Sequence, residues 1–357
     1  MSQEIDACCN KVIQAGLIHG AIFCAINAAG DFTYSRALAP ELAGKEVITG
    51  HSKFADGQKP IMELRRGPIT LEMLLTHSSG VVFDVLNEHI GRWRRTFAPQ
   101  DPNSQLTVEE TYTYPLGFQP EQGWMWGPGM DWAGRIVEKL TSRTLGDFVQ
   151  ERIFTPLGFK DAEFYPVRRQ DLQQRQVDCH PEDPEGYGKA ALGGEGNKGT
   201  KGDFGSQGLF MTAPDFVKVL RSLLVNDEKL LKRATVDDMF KNHLNTKSAS
   251  ELDRTLAGPL GGFFRPDPES ESRTGHGLGG LVTLEDIENG YGAGTLAWPG
   301  GMPVLWFIDR KNDLCGFGSV QATLGPGGTS RVPSLKIAFR KGVYAEYATW
   351  KKSKEWV

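Results

Sequence analysis

His77, Ser78 and Ser79 stand side by side at the end of the stretch Ile69–Gly80, ITLEMLLTHSSG. A serine hydroxyl and an imidazole are the parts of a nucleophile and its base, so acyl transfer through a serine ester is the first chemistry to weigh. Adjacent residues on a helix do not face one another, however, and no base lies within evident reach of either hydroxyl. Asp178 and His180 sit in a polar loop and read as solvated. The seven histidines are scattered and form no H-E-x-x-H pattern, which argues against a metal-dependent hydrolase. The five cysteines (Cys8, Cys9, Cys24, Cys179 and Cys315) have neither zinc-site spacing nor the even count of a disulfide framework.

The elements that would hold such groups can be read in part. Thr70 suits an N-cap, with Leu71, Leu74 and Leu75 on one apolar face and Gly80 as a left-handed stop. Before this helix, Ile5–Ala15 reads as a helix, and Gly20–Ala28 and Phe32–Arg36 read as a hairpin. His51–Arg66 reads as a polar loop and Val81–Pro120 as an irregular segment. Asp131 suits the cap of a helix whose Trp132, Ile136 and Leu140 share a face, and Leu145–Ile153 follows as a second helix ended by Pro156 and Gly158. Arg168–Gly205 is polar and glycine-rich, hence loop.

Within Phe210–Val225, Phe216, Val219, Leu220 and Leu223 recur at helical spacing, and Leu231–Asn242 continues as a helix. Thr295–Trp298, Pro303–Ile308 and Leu314–Val320 read as successive antiparallel strands, and Val332–Tyr347 as a closing helix. Strands at both ends with helices between them give an α+β pattern, in which both chain ends build one antiparallel sheet and the middle forms a helical subdomain.

Bulk properties exclude several partners. The 357 residues are 39% hydrophobic and 24% charged, with a net charge of −4 and no run of Lys or Arg. Neither nucleic acid nor an anionic membrane is expected as a partner. No apolar run approaches the roughly 20 residues needed to span a bilayer. Met1–Asn10 lacks the basic start, apolar run and cleavage site of a signal peptide, so the expected location is cytoplasmic.

Four stretches, taken in order, make the chain resemble the serine β-lactamase-related family. They are ITLEMLLTHSSG, GWMWGPGMDWAGRIVEKLT (Gly123–Thr141), GSQGLFMTAPDFVKVLRSLL (Gly205–Leu224) and GTLAWPGGMPVLWFIDRKNDLCGFGSVQ (Gly294–Gln321). The family holds class C β-lactamases, penicillin-binding-protein-like esterases and fungal acyltransferases of the lovastatin-transesterase type; the DWAG and TLAWPGG segments point most to the esterase and transesterase branch. The resemblance implies one transpeptidase-like domain over about 1–350, with a sheet subdomain at about 1–40 and 275–350 and a helical subdomain at about 68–275. It also implies acyl transfer from small esters or thioesters in secondary metabolism, with an acyl carrier as one form of donor, and no cofactor or metal. The His77–Ser79 segment supports the fold in this family.

The family's chemistry needs a Ser-x-x-Lys motif, in which the lysine one turn on takes the serine proton, and a tyrosine as acid and base. This sequence contains no Ser-x-x-Lys at all. The N-terminal hairpin and the PELAGKEVITG loop, which flank the nucleophile helix in the family, join directly near Ala39-Pro40, so several dozen residues are missing by comparison. The tyrosine position, two residues after Trp124, holds Trp126, and an indole N–H only donates. By the same resemblance, Trp124, Trp126 and Trp132 line the cleft from the helical side. His276, Gly277 and Gly279 form its glycine-rich rim, and Trp298, Gly300 and Gly301 form the turn on the edge strand. Losing the burial of five or six large side chains costs on the order of 10 kcal/mol, against a whole-domain stability of about 5–15 kcal/mol. The chain as written is therefore expected to lack serine-ester turnover and to keep a ligand-binding cleft.

Overall fold

The structure is a computed structural model that describes residues 21–26, 33–38, 46–51, 60–101, 103–179, 190–192, 199–299, 304–319 and 332–354. The helix expected at Ile5–Ala15, the Ala39-Pro40 junction, His180, Gly300 and Gly301 lie outside the described residues. The chain forms two compact units: residues 1–143 with 204–206 and 245–251, and residues 144–203 with 207–244 and 252–357.

In the first unit, β1 (Ala21–Ile26) and β2 (Thr33–Leu38) pair antiparallel, with Ala21 opposite Leu38, as the hairpin pattern anticipates. β3 (Glu46–His51) pairs with β4 (Pro60–Leu64), which corrects the reading of His51–Arg66 as loop throughout. Tertiary contacts decide this strand. Gln119 is buried and donates from Nε2 to Glu63 Oε1 at 2.8 Å and to the Leu64 carbonyl at 3.0 Å, while its Oε1 accepts from the Arg66 N–H at 2.8 Å.

Helix α1 (Leu71–Leu75) is capped as expected: Thr70 Oγ1 accepts from the Met73 N–H at 3.2 Å. The left-handed residue that follows is His77, at φ +56°, rather than Gly80. Gly80, at φ +87°, serves a close approach instead, because a Cβ there would lie 2.1 Å from the Phe118 carbonyl oxygen. Val81–Pro120 is not irregular throughout. It holds α2 (Glu88–Phe97), capped by Asn87, and α3 (Val108–Tyr112), closed by a Thr107–Glu110 capping box. Helix α4 (Gly129–Thr141) starts two residues before Asp131, so that aspartate lies inside the first turn and is not the cap. Ile48, Leu74, Ile90, Leu116, Trp132 and Phe204 form the centre of this unit's core.

In the second unit, α5 (Leu145–Val149) runs into a π-helical turn at Gln150–Phe154, and Gly158 at φ +62° ends the segment. β5 (Ala162–Phe164) pairs with β8 (Leu209–Met211), and Arg168–Gly205 between them is not all loop, since β6 (Val177–Cys179) pairs there with β7 (Ala190–Leu192). Helix α6 (Ala213–Val225) packs Leu220 and Leu223 with Val236 of α7 (Arg233–Met239) and with Ile308. Two further helices, α8 (Thr246–Ala257) and α9 (Gly261–Phe264), carry no cap and stripe strong enough to announce them in the sequence.

The main sheet has five antiparallel strands in the order β13-β12-β11-β10-β9. They are β9 (Thr274–Gly277), β10 (Gly280–Thr283), β11 (Leu296–Trp298), β12 (Val304–Asp309) and β13 (Leu314–Ser319). The last three are the strands expected from sequence; the first two are glycine-rich and too short to show alternation. Helix α10 (Val332–Lys354) follows, and Phe339, Val343 and Tyr344 pack against Tyr291, Leu305 and Phe307. The α+β class stands, and among the described residues β1 and β2 pair with each other. Local patterning marks strands, whereas their partners are set by long-range register that no local pattern carries.

Candidate functional site

Three of the expected cleft residues, Trp124, Trp126 and Trp132, belong to the first unit and four described ones, His276, Gly277, Gly279 and Trp298, to the second. In the first, the end of α1 acts as a scaffold. Thr76 Oγ1 donates to the Glu72 carbonyl at 2.8 Å and lies 2.9 Å from Ser78 Oγ, so the Ser78 hydroxyl is the donor between them. Ser79 Oγ accepts from the Val81 N–H at 3.2 Å. His77, Ser78 and Ser79 are all buried. Their backbone holds the tryptophan segment: the Glu121 N–H donates to the Ser78 carbonyl at 2.9 Å, and the Met125 N–H to the His77 carbonyl at 3.2 Å.

Trp124 is buried at 2% exposure, with the His77 ring edge-on at 6.2 Å between centroids. Trp132, at 1%, belongs to the core itself. Trp126 is half-buried and meets Phe83 edge-on at 4.9 Å. Tyr112 and Tyr114 lie in the same unit, and neither is suited to act as a base. The Tyr114 hydroxyl donates to the Val82 carbonyl at 2.8 Å, and burial holds both Tyr112 and Tyr114 well above the ordinary phenol range.

Sequence reasoning missed the role of Asp131. It is fully buried and accepts from the Ser206 N–H at 2.9 Å and the Ser206 hydroxyl at 2.5 Å. Burial raises its carboxyl to about 6. The aspartate ties the segment 204–206 to the first turn of α4. A helix-start aspartate signals a cap in sequence, so this long-range tether had no local sign.

In the second unit, His276 is fully buried on β9. Its Nδ1 lies 2.7 Å from the Gly277 carbonyl, which accepts and so places a proton on that nitrogen. Burial lowers the imidazole to about 4, so it is neutral near pH 7. The outer side of this edge strand is covered by the chain after α7. The His276 N–H donates to Asn242 Oδ1 at 3.1 Å, the His243 N–H to the His276 carbonyl at 2.9 Å, and the Leu278 N–H to the Met239 carbonyl at 3.1 Å. Gly277 must lack a side chain here, since a Cβ would fall 2.1 Å from the Met239 oxygen.

Trp298 is half-buried at the end of β11, opposite Trp306 in register. Its ring lies 6.3 Å from the His276 ring and 5.9 Å from Phe264. The sheet thus brings His276, Gly277 and Trp298 together from separate strands, with a neutral imidazole behind an accessible indole. Among the described residues, no group of three His, Cys, Asp or Glu could hold a metal ion, and no helix is long and apolar enough to cross a membrane.

The family model described as Beta-lactamase matches residues 62–330. A lovastatin esterase of Penicillium rubens is 44% identical over 97% of this chain and 99% of its own length. A monacolin J acid methylbutanoyltransferase of Aspergillus terreus is 32% identical over 89% of this chain and 76% of its own. A mutant of the simvastatin synthase of Aspergillus terreus has the same fold, with a TM-score of 0.73 and 26% identity over 98% of both chains. Family model, relatives and fold together assign this chain to the beta-lactamase family, close to the fungal acyltransferases and esterases of the lovastatin-transesterase lineage.

Proposed function

We propose that this chain derives from a serine acyltransferase or ester hydrolase acting on small esters or thioesters in secondary metabolism, and that in its present form it binds such an ester without turning it over. The observation that carries the second half is that none of the 357 residues begins a Ser-x-x-Lys motif. Two features of the comparisons support a missing block. The match to the lovastatin esterase runs over 400 residues, 43 more than the 357 of this chain. The family model begins to match only at Met62, after the Ala39-Pro40 junction. Trp126 stands at the tyrosine position, and burial keeps Tyr112 and Tyr114 protonated.

What remains is suited to binding. Trp126 and Trp298, one in each unit, are only half-buried, and the neutral His276 ring meets Trp298 edge-on at 6.3 Å. The near full-length likeness to a lovastatin esterase makes lovastatin itself the first ligand to try. The expected result is a rise in melting temperature with lovastatin, growing with concentration as binding to the native state requires. No hydrolysis and no labelling by a fluorophosphonate probe are expected beside it. Rapid labelling at one serine overturns the inactive reading. Sequencing the transcript across Ala39-Pro40 separates the two remaining cases: an in-frame insert carrying Ser-x-x-Lys restores an acyl-transferring enzyme, and its absence leaves a binding protein.

A further inference from the structure

The turn that leads into the tryptophan segment is held in a conformation its residue does not favour. Glu121 has φ +62°, in the left-handed region that a side chain makes costly. Its N–H donates to the Ser78 carbonyl at 2.9 Å, and the next N–H, of Gln122, to the Gln119 carbonyl at 2.9 Å. Gly123 is then pressed against the Phe118 ring, where a Cβ would lie 2.7 Å from the ring carbons. The Met125 N–H donates to the His77 carbonyl at 3.2 Å, and the Trp126 carbonyl accepts from the Phe83 N–H at 3.4 Å. The segment from Glu121 to Trp126 is thus pinned along its length, and the peptide after Glu121 sets where it begins.

The Glu121 carbonyl is fixed from far along the chain. Asn245 Nδ2 donates to it at 3.1 Å, across 124 positions of sequence. The same side chain caps α8: Asn245 Oδ1 accepts from the Ser248 N–H at 2.9 Å, and the Asn245 carbonyl accepts from the Ala249 N–H at 2.9 Å. The amide stands only one way round, since a flip would set its NH2 against an N–H and its oxygen against a carbonyl. Lys247 Nζ also donates to Gln122 Oε1, at 2.5 Å, but that bond joins two side chains and leaves the backbone of the turn to Asn245. All these residues belong to the first unit.

We propose that Asn245 is a positioning residue for the ligand site at Trp126. Capping fixes its oxygen on α8, which aims its NH2 at the Glu121 carbonyl and so holds Trp124 and Trp126 in place. An aspartate there would cap the helix equally well but could not donate to that carbonyl. The need for an amide, rather than for any capping side chain, separates positioning from plain helix capping. The inference deepens the ester-binding reading and takes its ligand from it.

Asn245→Asp and Asn245→Ala in the chain labelled with 5-fluorotryptophan test this. The fluorine resonances of Trp126 and Trp298, assigned with W126F and W298F, report on the first and second unit without any ligand. N245D should keep the wild-type urea midpoint, move the Trp126 resonance and leave that of Trp298 in place. Its lovastatin affinity should fall about three- to tenfold, the range of one neutral hydrogen bond. N245A should move Trp126 likewise and lower the midpoint as well. If N245D does not fold, N245S, which keeps a capping oxygen but is too short to reach both partners, takes its place. A Trp126 resonance unmoved in N245D, or a midpoint that falls there as far as in N245A, overturns the proposal and leaves Asn245 a cap. No lovastatin binding to the wild-type chain overturns the ester-binding reading alone, because the resonances still decide the role of Asn245.

Discussion

The Ser206 hydroxyl donates to the buried carboxyl of Asp131 across 2.5 Å, and the Ser206 N–H donates to the other oxygen at 2.9 Å. Two residues 75 positions apart thus join the first turn of α4 to the segment that brings Phe204 into the core. Removing the hydroxyl leaves a buried oxygen short of a donor. Ser206→Ala is therefore expected to cost about 1–3 kcal/mol in urea denaturation.

The same carboxyl gives stability a pH dependence. Burial raises Asp131 from an ordinary 3.8 to about 6, so folding favours its protonated form. Its contribution is complete below about pH 4 and declines as pH rises through 6. Asp131→Asn keeps an oxygen acceptor for Ser206 and has no proton to lose. Its melting temperature should lack the rise on acidification from pH 6.5 to 4 that Asp131 contributes in the wild-type chain.

His276 acts in the opposite sense. Burial lowers it from 6.5 to about 4, so the folded state favours the neutral ring. That contribution is complete above about pH 6.5 and is lost as pH falls toward 4. The two slopes oppose each other in the wild-type curve. His276→Gln should therefore unmask a stability that rises as pH is lowered from 6.5 to 4, whereas the Asp131 variant should show a stability that falls.

Gly277→Ala drives a Cβ to within 2.1 Å of the Met239 carbonyl oxygen, a backbone atom that cannot swing aside. We expect a loss of about 1–3 kcal/mol, the ordinary cost of forcing extra volume into a packed site. Quenching of Trp298 fluorescence should change with it, because β9 carries the His276 ring that the indole meets edge-on.

Arg340 and Asp267 form an ion pair at 2.7 Å with both side chains almost fully buried, and the guanidinium lies 5.6 Å from the Tyr291 ring centre. Breaking one side strands the other charge. Asp267→Ala should destabilise by about 3–5 kcal/mol, while R340M/D267L should recover most of that, since an apolar pair avoids the desolvation of two ions. Chemical denaturation of the three variants checks both.

Sequence alone determined the α+β class, the Thr70 cap, the hairpin of β1 and β2, the strands from Leu296 to Ser319 and the long final helix. It also showed that Ser-x-x-Lys is absent, which needs no coordinates to be seen. These are properties of short windows: periodicity, capping and residue type. Tertiary structure decided that β4 is a strand and that Asp131 is a tether. It also decided that Trp132 lies in the core while Trp126 and Trp298 are only half-buried. Each of these depends on a partner dozens of residues away, such as Gln119 for β4 or Ser206 for Asp131. Burial and pairing belong to the packed chain, and no window of sequence holds both partners at once.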